Sequence, residues 1–171
     1  MFEKILRLAR PFIIMTGIVL LFAASFYIVD AVSKKKEPQP APEITGVAYD
    51  ETSLYSLSDH RGQKGTILTF FDPAQEDTVT LLETLIAANR GRVEILAVSV
   101  SALPTAEQKA LLSSVESGCR ILFDIDGKMA ETYGISGVPV TYFIDKNGLI
   151  QDAFLRGISA KTLEETIAAI A

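Results

Sequence analysis

Residues 133–148 read YGISGVPVTYFIDKNG. Val140 to Asp145 is a β-branched and aromatic run that reads as a strand, and Leu149 to Phe154 reads as another. Lys146-Asn147-Gly148 lies between them, and Asn-Gly between strand-like runs is a strong hairpin signal. The two strands are therefore expected to be antiparallel. Val138-Pro139 by itself gives only a turn before a strand, because X-Pro bonds in folded proteins are cis only ~5–6% of the time. Downstream, Ser159 is placed to cap a final helix whose Leu163, Ile167 and Ile170 share one face.

Upstream, Thr66–Phe71 (TILTFF) has the unbroken apolar character of a strand buried on both faces, and a helical pattern follows it. Asp72-Pro73-Ala74-Gln75 supplies a candidate N-cap, a proline at the first helical position and Gln at N3, while Val79, Leu82, Leu85 and Ile86 repeat at helical spacing. Residues 94–100 (EILAVSV) form the next strand. Thr105 and Gln108 make a capping-box pattern opening a helix expected to end near Gly118. A short strand at 121–123 and a short helix at 129–133 complete the order β-α-β-α-β-α-β-β-α, with a small leading hairpin at 49–57. That order indicates an α/β fold, with parallel βαβ units and an antiparallel hairpin at its end.

The 171 residues suggest one domain plus an appendage. The hydrophobic fraction of 49% is inflated by residues 12–29 (FIIMTGIVLLFAASFYIV), which carry no charge. At about 1.5 Å per residue this run nearly spans a ~30 Å hydrocarbon core. A cleavable signal peptide is the alternative, given the small Ala23 and Ser25, but signal cores usually run about 7–15 apolar residues. The run favours an uncleaved anchor. Basic residues on both sides (Lys4, Arg7, Arg10; Lys34, Lys35, Lys36) leave its orientation undecided by charge. The expected organisation is a short N-terminal segment 1–11, a transmembrane helix 12–32, a Lys/Pro-rich spacer 33–43 and one domain 44–171. Six of the 16 Lys/Arg and two of the 21 Asp/Glu precede residue 37, leaving a net −9 from residue 37 onward. Such an acidic domain is a poor partner for nucleic acid, whose phosphates demand Lys and Arg.

Several strings resemble the TlpA/ResA branch of the thioredoxin superfamily, with the redoxin and peroxiredoxin group close behind, over residues 41–171. SLSDHRG at 56–62 resembles the family's SLSDLRGK, ILTFF at 67–71 its VVLNFW strand, and FDIDGK at 123–128 its LLDPDGK. Most specific is the stretch quoted first, which is similar to YGVxGVPTTFLIDxxG. The resemblance implies a thioredoxin-like fold, a central mixed β-sheet flanked by helices. It further implies a cis peptide bond before Pro139, facing the start of the first helix across a groove where relatives hold an extended protein segment. Ala74, Gln75, Val138 and Pro139 would line that groove. It also implies placement outside the cytoplasm, as a single-pass protein of a bacterial inner membrane facing the periplasm or cell exterior, where relatives serve cytochrome c maturation or thiol reduction.

The family's W-C-x-x-C falls on residues 74–78, so Gln75 and Thr78 occupy the cysteine positions and neither can form a disulfide. Disulfide exchange needs a thiolate, favoured by a helix N-terminus and nearby cations. Asp72, Glu76 and Asp77 would oppose one. Peroxidase chemistry lacks its cysteine at this site as well. Cys119 is the single cysteine and reads as a small buried hydrophobe sharing a strand face with Ile121 and Phe123. A reactive thiol or intermolecular disulfide is the alternative. His60 reads as a solvated turn residue, and neither it nor the acidic residues at 72–77 or 124–127 form a recognisable metal site, so no cofactor is expected. Taken together, the sequence favours a non-catalytic binding or assembly module at the cell envelope, partnered by an extended protein segment. The alternative is a thiol-disulfide oxidoreductase or peroxidase of the redoxin class working through Cys119.

Overall fold

The computed structural model describes residues 37–48, 54–101 and 105–171. The expected anchor and the lysines after it, together with residues 49–53 and 102–104, lie outside the described residues. Within those described, no helix is long and apolar enough to cross a membrane. The elements run β1 (Gln39–Pro40), β2 (Thr45–Val47), β3 (Leu54–Ser56), a 3-10 turn (Leu57–His60), β4 (Thr66–Phe71), α1 (Thr78–Asn89), β5 (Glu94–Ser99), α2 (Ala106–Ser113), β6 (Arg120–Phe123), α3 (Lys128–Thr132), β7 (Val140–Ile144), β8 (Leu149–Leu155) and α4 (Ala160–Ile170).

Six strands form one mixed sheet in the order β1-β8-β7-β4-β5-β6. β4, β5 and β6 are parallel, as βαβ crossovers require, whereas β7 runs antiparallel to β4 and β8 antiparallel to β7. Every residue of β4 is buried, because the sheet is covered on both faces. Ile67 and Phe71 pack with Leu82 and Leu85 of α1 and Leu163 and Ile167 of α4. Leu68 and Phe70 point the other way, into a second core with Tyr55, Leu57, Leu122 and Met129. Thr69 interrupts the apolar run without an unpaired hydroxyl, since its Oγ1 lies 3.0 Å from that of Thr141 on the neighbouring strand. Gly65 lets α4 end against the sheet: a Cβ there would run into the Ile170 carbonyl.

Four local expectations change. Residues expected as free spacer are already part of the fold, for Gln39 pairs with Ile150 and Pro40 with Leu149. Ala41 is buried, and the Pro42 carbonyl accepts a 2.8 Å bond from the Tyr133 hydroxyl. The leading hairpin is built from β2 and β3, with Gly46 opposite Tyr55, so it begins before residue 49. The helix opened by the Thr105 and Gln108 capping box ends at Ser113 and not near Gly118. The Ser113 and Ser114 hydroxyls bond back to the Ala110 and Leu111 carbonyls, and separate turns carry the chain on to Gly118.

The fourth change bears on the site. Asp72 does not cap α1. Its Oδ1 accepts the Ala74 N–H at 2.9 Å and its carbonyl accepts the Gln75 N–H at 3.0 Å and the Thr78 hydroxyl at 2.6 Å. An aspartate that engages its own backbone this way folds a turn instead of launching a helix. A second turn, Thr78 N–H to Gln75 carbonyl, follows directly, and α1 starts at Thr78 with Asp77 as its N-cap residue.

Candidate functional site

β4 ends at Phe71 and hands the chain to the two turns just described, which place Gln75 in solvent and Thr78 inward against the fold. β7 begins beside the same end of β4, since Phe70 pairs with Val140. The residues immediately before β7 therefore face the start of α1. Those residues are Val138 and Pro139, and the bond between them is cis. The two segments border a groove of about 540 Å³ lined by Gln75, Thr78, Val138 and Pro139. Open α/β sheets present their crevices at the carboxyl ends of the parallel strands, and this groove lies there.

Of the residues expected to line the groove, Ala74 does not; it is exposed in the turn before Gln75. Gln75 and Thr78, the positions that the resemblance sets against the family's cysteines, do line the groove together with Pro139. No hydrogen bond among the described residues engages the backbone N–H or carbonyl of Val138, which leaves it free to pair with an extended chain.

The sequence reading missed the rest of the lining, Arg156, Gly157 and Ile158 beside Pro139 and the α1 residues Thr80, Leu81 and Thr84. Arg156 follows β8, and its backbone N–H donates to the Pro139 carbonyl at 3.0 Å. Its φ of 70° is unusual for a residue with a side chain. The hairpin signal gave a route to Arg156, but an irregularity between Phe143 and Ile144 shifts the register. Past that point Val140 pairs with Leu155, so it is Arg156 that meets Pro139. An unbroken ladder counted back from the Asn147-Gly148 turn would put Leu155 there.

Cys119 is elsewhere. It is 7% exposed, packs with Ile121 and Phe123 as expected, and donates its S–H to the Val115 carbonyl at 3.5 Å. Burial pushes its thiol up to about 12. It stands just before β6, at the amino ends of the parallel strands, where a second cavity of about 600 Å³ opens among Asn89, Glu94, Cys119 and Arg120. The thiol and the groove thus occupy opposite ends of the sheet. Arg120 points to the other face, 4.8 Å above the Tyr55 ring, and gives Cys119 no cationic support.

His60, Asp72 and Asp124 have structural partners. His60 stacks on Tyr55 with ring centroids 5.5 Å apart. Asp72 is held by the Ala74 N–H and by the Ser101 hydroxyl, 2.8 Å away. Asp124, 2% exposed, accepts the Met129 and Ala130 N–H groups at 3.0 and 2.8 Å and so fastens the start of α3. Among the described residues no three His, Cys, Asp or Glu side chains converge to hold a metal ion.

The fold is that of known thiol-disulfide proteins. A Chlorobium tepidum protein assigned as the thiol:disulfide interchange protein DsbE superposes with a TM-score of 0.68 at 22% identity, covering 78% of this chain and 96% of that one. The exposed lipoprotein thioredoxin Etrx1 of Streptococcus pneumoniae gives 0.63 at 22% identity, over 75% of this chain and 99% of its own. A secreted disulfide oxidoreductase of Mycobacterium tuberculosis gives 0.62 at 18%, over 74% and 95%. These likenesses bear out the thioredoxin-like architecture expected from the TlpA/ResA resemblance. No curated protein matches the sequence. The AhpC/TSA family matches residues 38–153, most of the folded unit from β1 to β8, and the chain belongs to that family.

Proposed function

We propose that this chain is a binding or assembly protein of the bacterial cell envelope, one that holds an extended segment of a partner protein in the groove between Pro139 and the start of α1 without exchanging disulfides. The observation that carries the reading is the separation of groove from thiol. Gln75 and Thr78 stand where exchange would need cysteines, and the single thiol is buried at the far end of the sheet with its proton held. A thiol kept protonated is a poor nucleophile. What remains at the groove is a backbone edge at Val138, flanked by hydroxyl and amide side chains, suited to pairing with a strand-like peptide.

Placement outside the cytoplasm is supported by relatives described as secreted or as an exposed lipoprotein. The uncharged run at 12–29 supports a single-pass anchor. Retention of the chain in the membrane pellet after alkaline carbonate washing tests the anchor, and protease digestion of intact spheroplasts tests which side the folded unit faces.

The function is tested by insulin-disulfide reduction with dithiothreitol, using the full chain in detergent, together with thiol titration of Cys119. Wild type and Cys119→Ser are expected to leave the dithiothreitol rate unchanged, with the thiol reacting only after unfolding. Reduction by wild type that disappears in Cys119→Ser would overturn the proposal and make the chain a single-cysteine oxidoreductase.

A further inference from the structure

Resting on the groove reading above, we infer that the groove is selective for an extended segment bearing an acidic side chain, whose carboxylate is received by Arg156. Arg156 is the one cation among the described residues that line the groove, and no ion pair among the described residues engages it. Its position is fixed from the backbone. The 3.0 Å bond from its N–H to the Pro139 carbonyl ties it directly beside the Val138 edge on which a bound segment would pair.

The backbone conformation there is a second, independent sign. Arg156 has a left-handed φ of 70°, a conformation glycine adopts readily, although a glycine is the very next residue. Non-glycine residues held this way concentrate at ligand clamps, and an observed outlier of this kind is a reason to look for function. A guanidinium offers a planar fork of donors that matches a carboxylate with two parallel bonds, which a lysine or glutamine cannot reproduce.

The two walls of the groove carry opposite charge. Asp77, the N-cap residue of α1, makes no side-chain cap bond. Asp77 is also the one acid among the described lining residues. It stands on the α1 wall, whereas Arg156 belongs to the wall beside Pro139. A segment lying between them meets positive charge on the Pro139 side, and an acidic residue placed there is favoured over a neutral or basic one.

The test uses a random octapeptide phage library selected on the full chain immobilised in detergent, in parallel with Arg156→Gln and Arg156→Glu. Thr80→Trp, which places a bulky ring in the groove from an exposed position, serves as the blocked control. Wild type is expected to enrich peptides with Asp or Glu at a fixed position. Synthetic copies should bind Arg156→Gln about tenfold more weakly, the effect of losing one charge-assisted pair, and Arg156→Glu should lose the acidic preference. Unchanged thermal midpoints show that the variants are folded. Enriched peptides without an acidic position, or equal binding to Arg156→Gln, overturn this inference and leave the groove reading standing. Failure of wild type to enrich any sequence above Thr80→Trp overturns the groove reading, and this inference with it.

Discussion

Cys119 shows how far one residue's chemistry is set by its surroundings. Burial raises its pKa from 9.0 to about 12. Between those values the unfolded chain has released the thiol proton while the folded chain keeps it, so the unfolded state binds fewer protons and stability falls as pH rises. One such group tilts stability by about 1.4 kcal/mol per pH unit. Urea unfolding at about pH 8 and about pH 10.5 should therefore show wild type losing about 2 kcal/mol more than Cys119→Ala, in which the group is absent. An equal loss would mean that the thiol ionises in the folded protein and is accessible after all. Asp124 is the second residue with a large expected effect. Replacement by Ala leaves the Met129 and Ala130 N–H groups without their acceptor, at roughly 2–4 kcal/mol by denaturant unfolding, and Asp124→Asn, which keeps one carbonyl oxygen, should lose less.

Among the elements, the segment between β4 and α1 departs most from its sequence signature. Asp-Pro followed by Gln is a fair helix opening, yet the Asp72 side chain and carbonyl take up the Ala74, Gln75 and Thr78 donors first and fold two turns. The helix is delayed to Thr78, but Gln75 and Thr78 still share one turn, through the 3.2 Å bond from the Thr78 N–H to the Gln75 carbonyl. A turn of this kind brings its end residues within about 7 Å, close to the span a disulfide bridges. The double variant Gln75→Cys/Thr78→Cys is expected to oxidise to an intramolecular disulfide. Mass spectrometry after alkylation should find only Cys119 modified in the oxidised, unfolded chain. Three modified cysteines would show that the turn no longer holds the pair in bridging geometry.

At the scale of the whole molecule, charge and topology act separately. The net −9 beyond residue 36 is spread over the folded unit and its surface, where like charges repel at low ionic strength. Raising sodium chloride from about 0.01 M to about 0.5 M shortens the screening length several-fold. The thermal midpoint is expected to rise by a few degrees, and a fall would show that ion pairs such as Arg61–Glu43 outweigh the repulsion. Topology, by contrast, places the groove at the carboxyl ends of the parallel strands and the thiol at their amino ends. A ligand in the groove therefore sits at the far end of the sheet from Cys119.

The sequence by itself determined the order of strands and helices from β4 onward, the antiparallel β7–β8 hairpin, the Ser159 cap and the inward face of Leu163, Ile167 and Ile170. These follow from hydrophobic period, turn chemistry and capping, all of which act over a few residues. It also placed Gln75, Thr78, Val138 and Pro139 at one site, through a resemblance carried by contiguous motifs. Only the tertiary structure decided that the stretch from Gln39 closes the sheet edge, because Gln and Pro have no strand signature and gain one only by pairing with β8. Only the tertiary structure brought Arg156 to Pro139. A single register shift beside Phe143 moves every later partner by one position, and no local propensity records it.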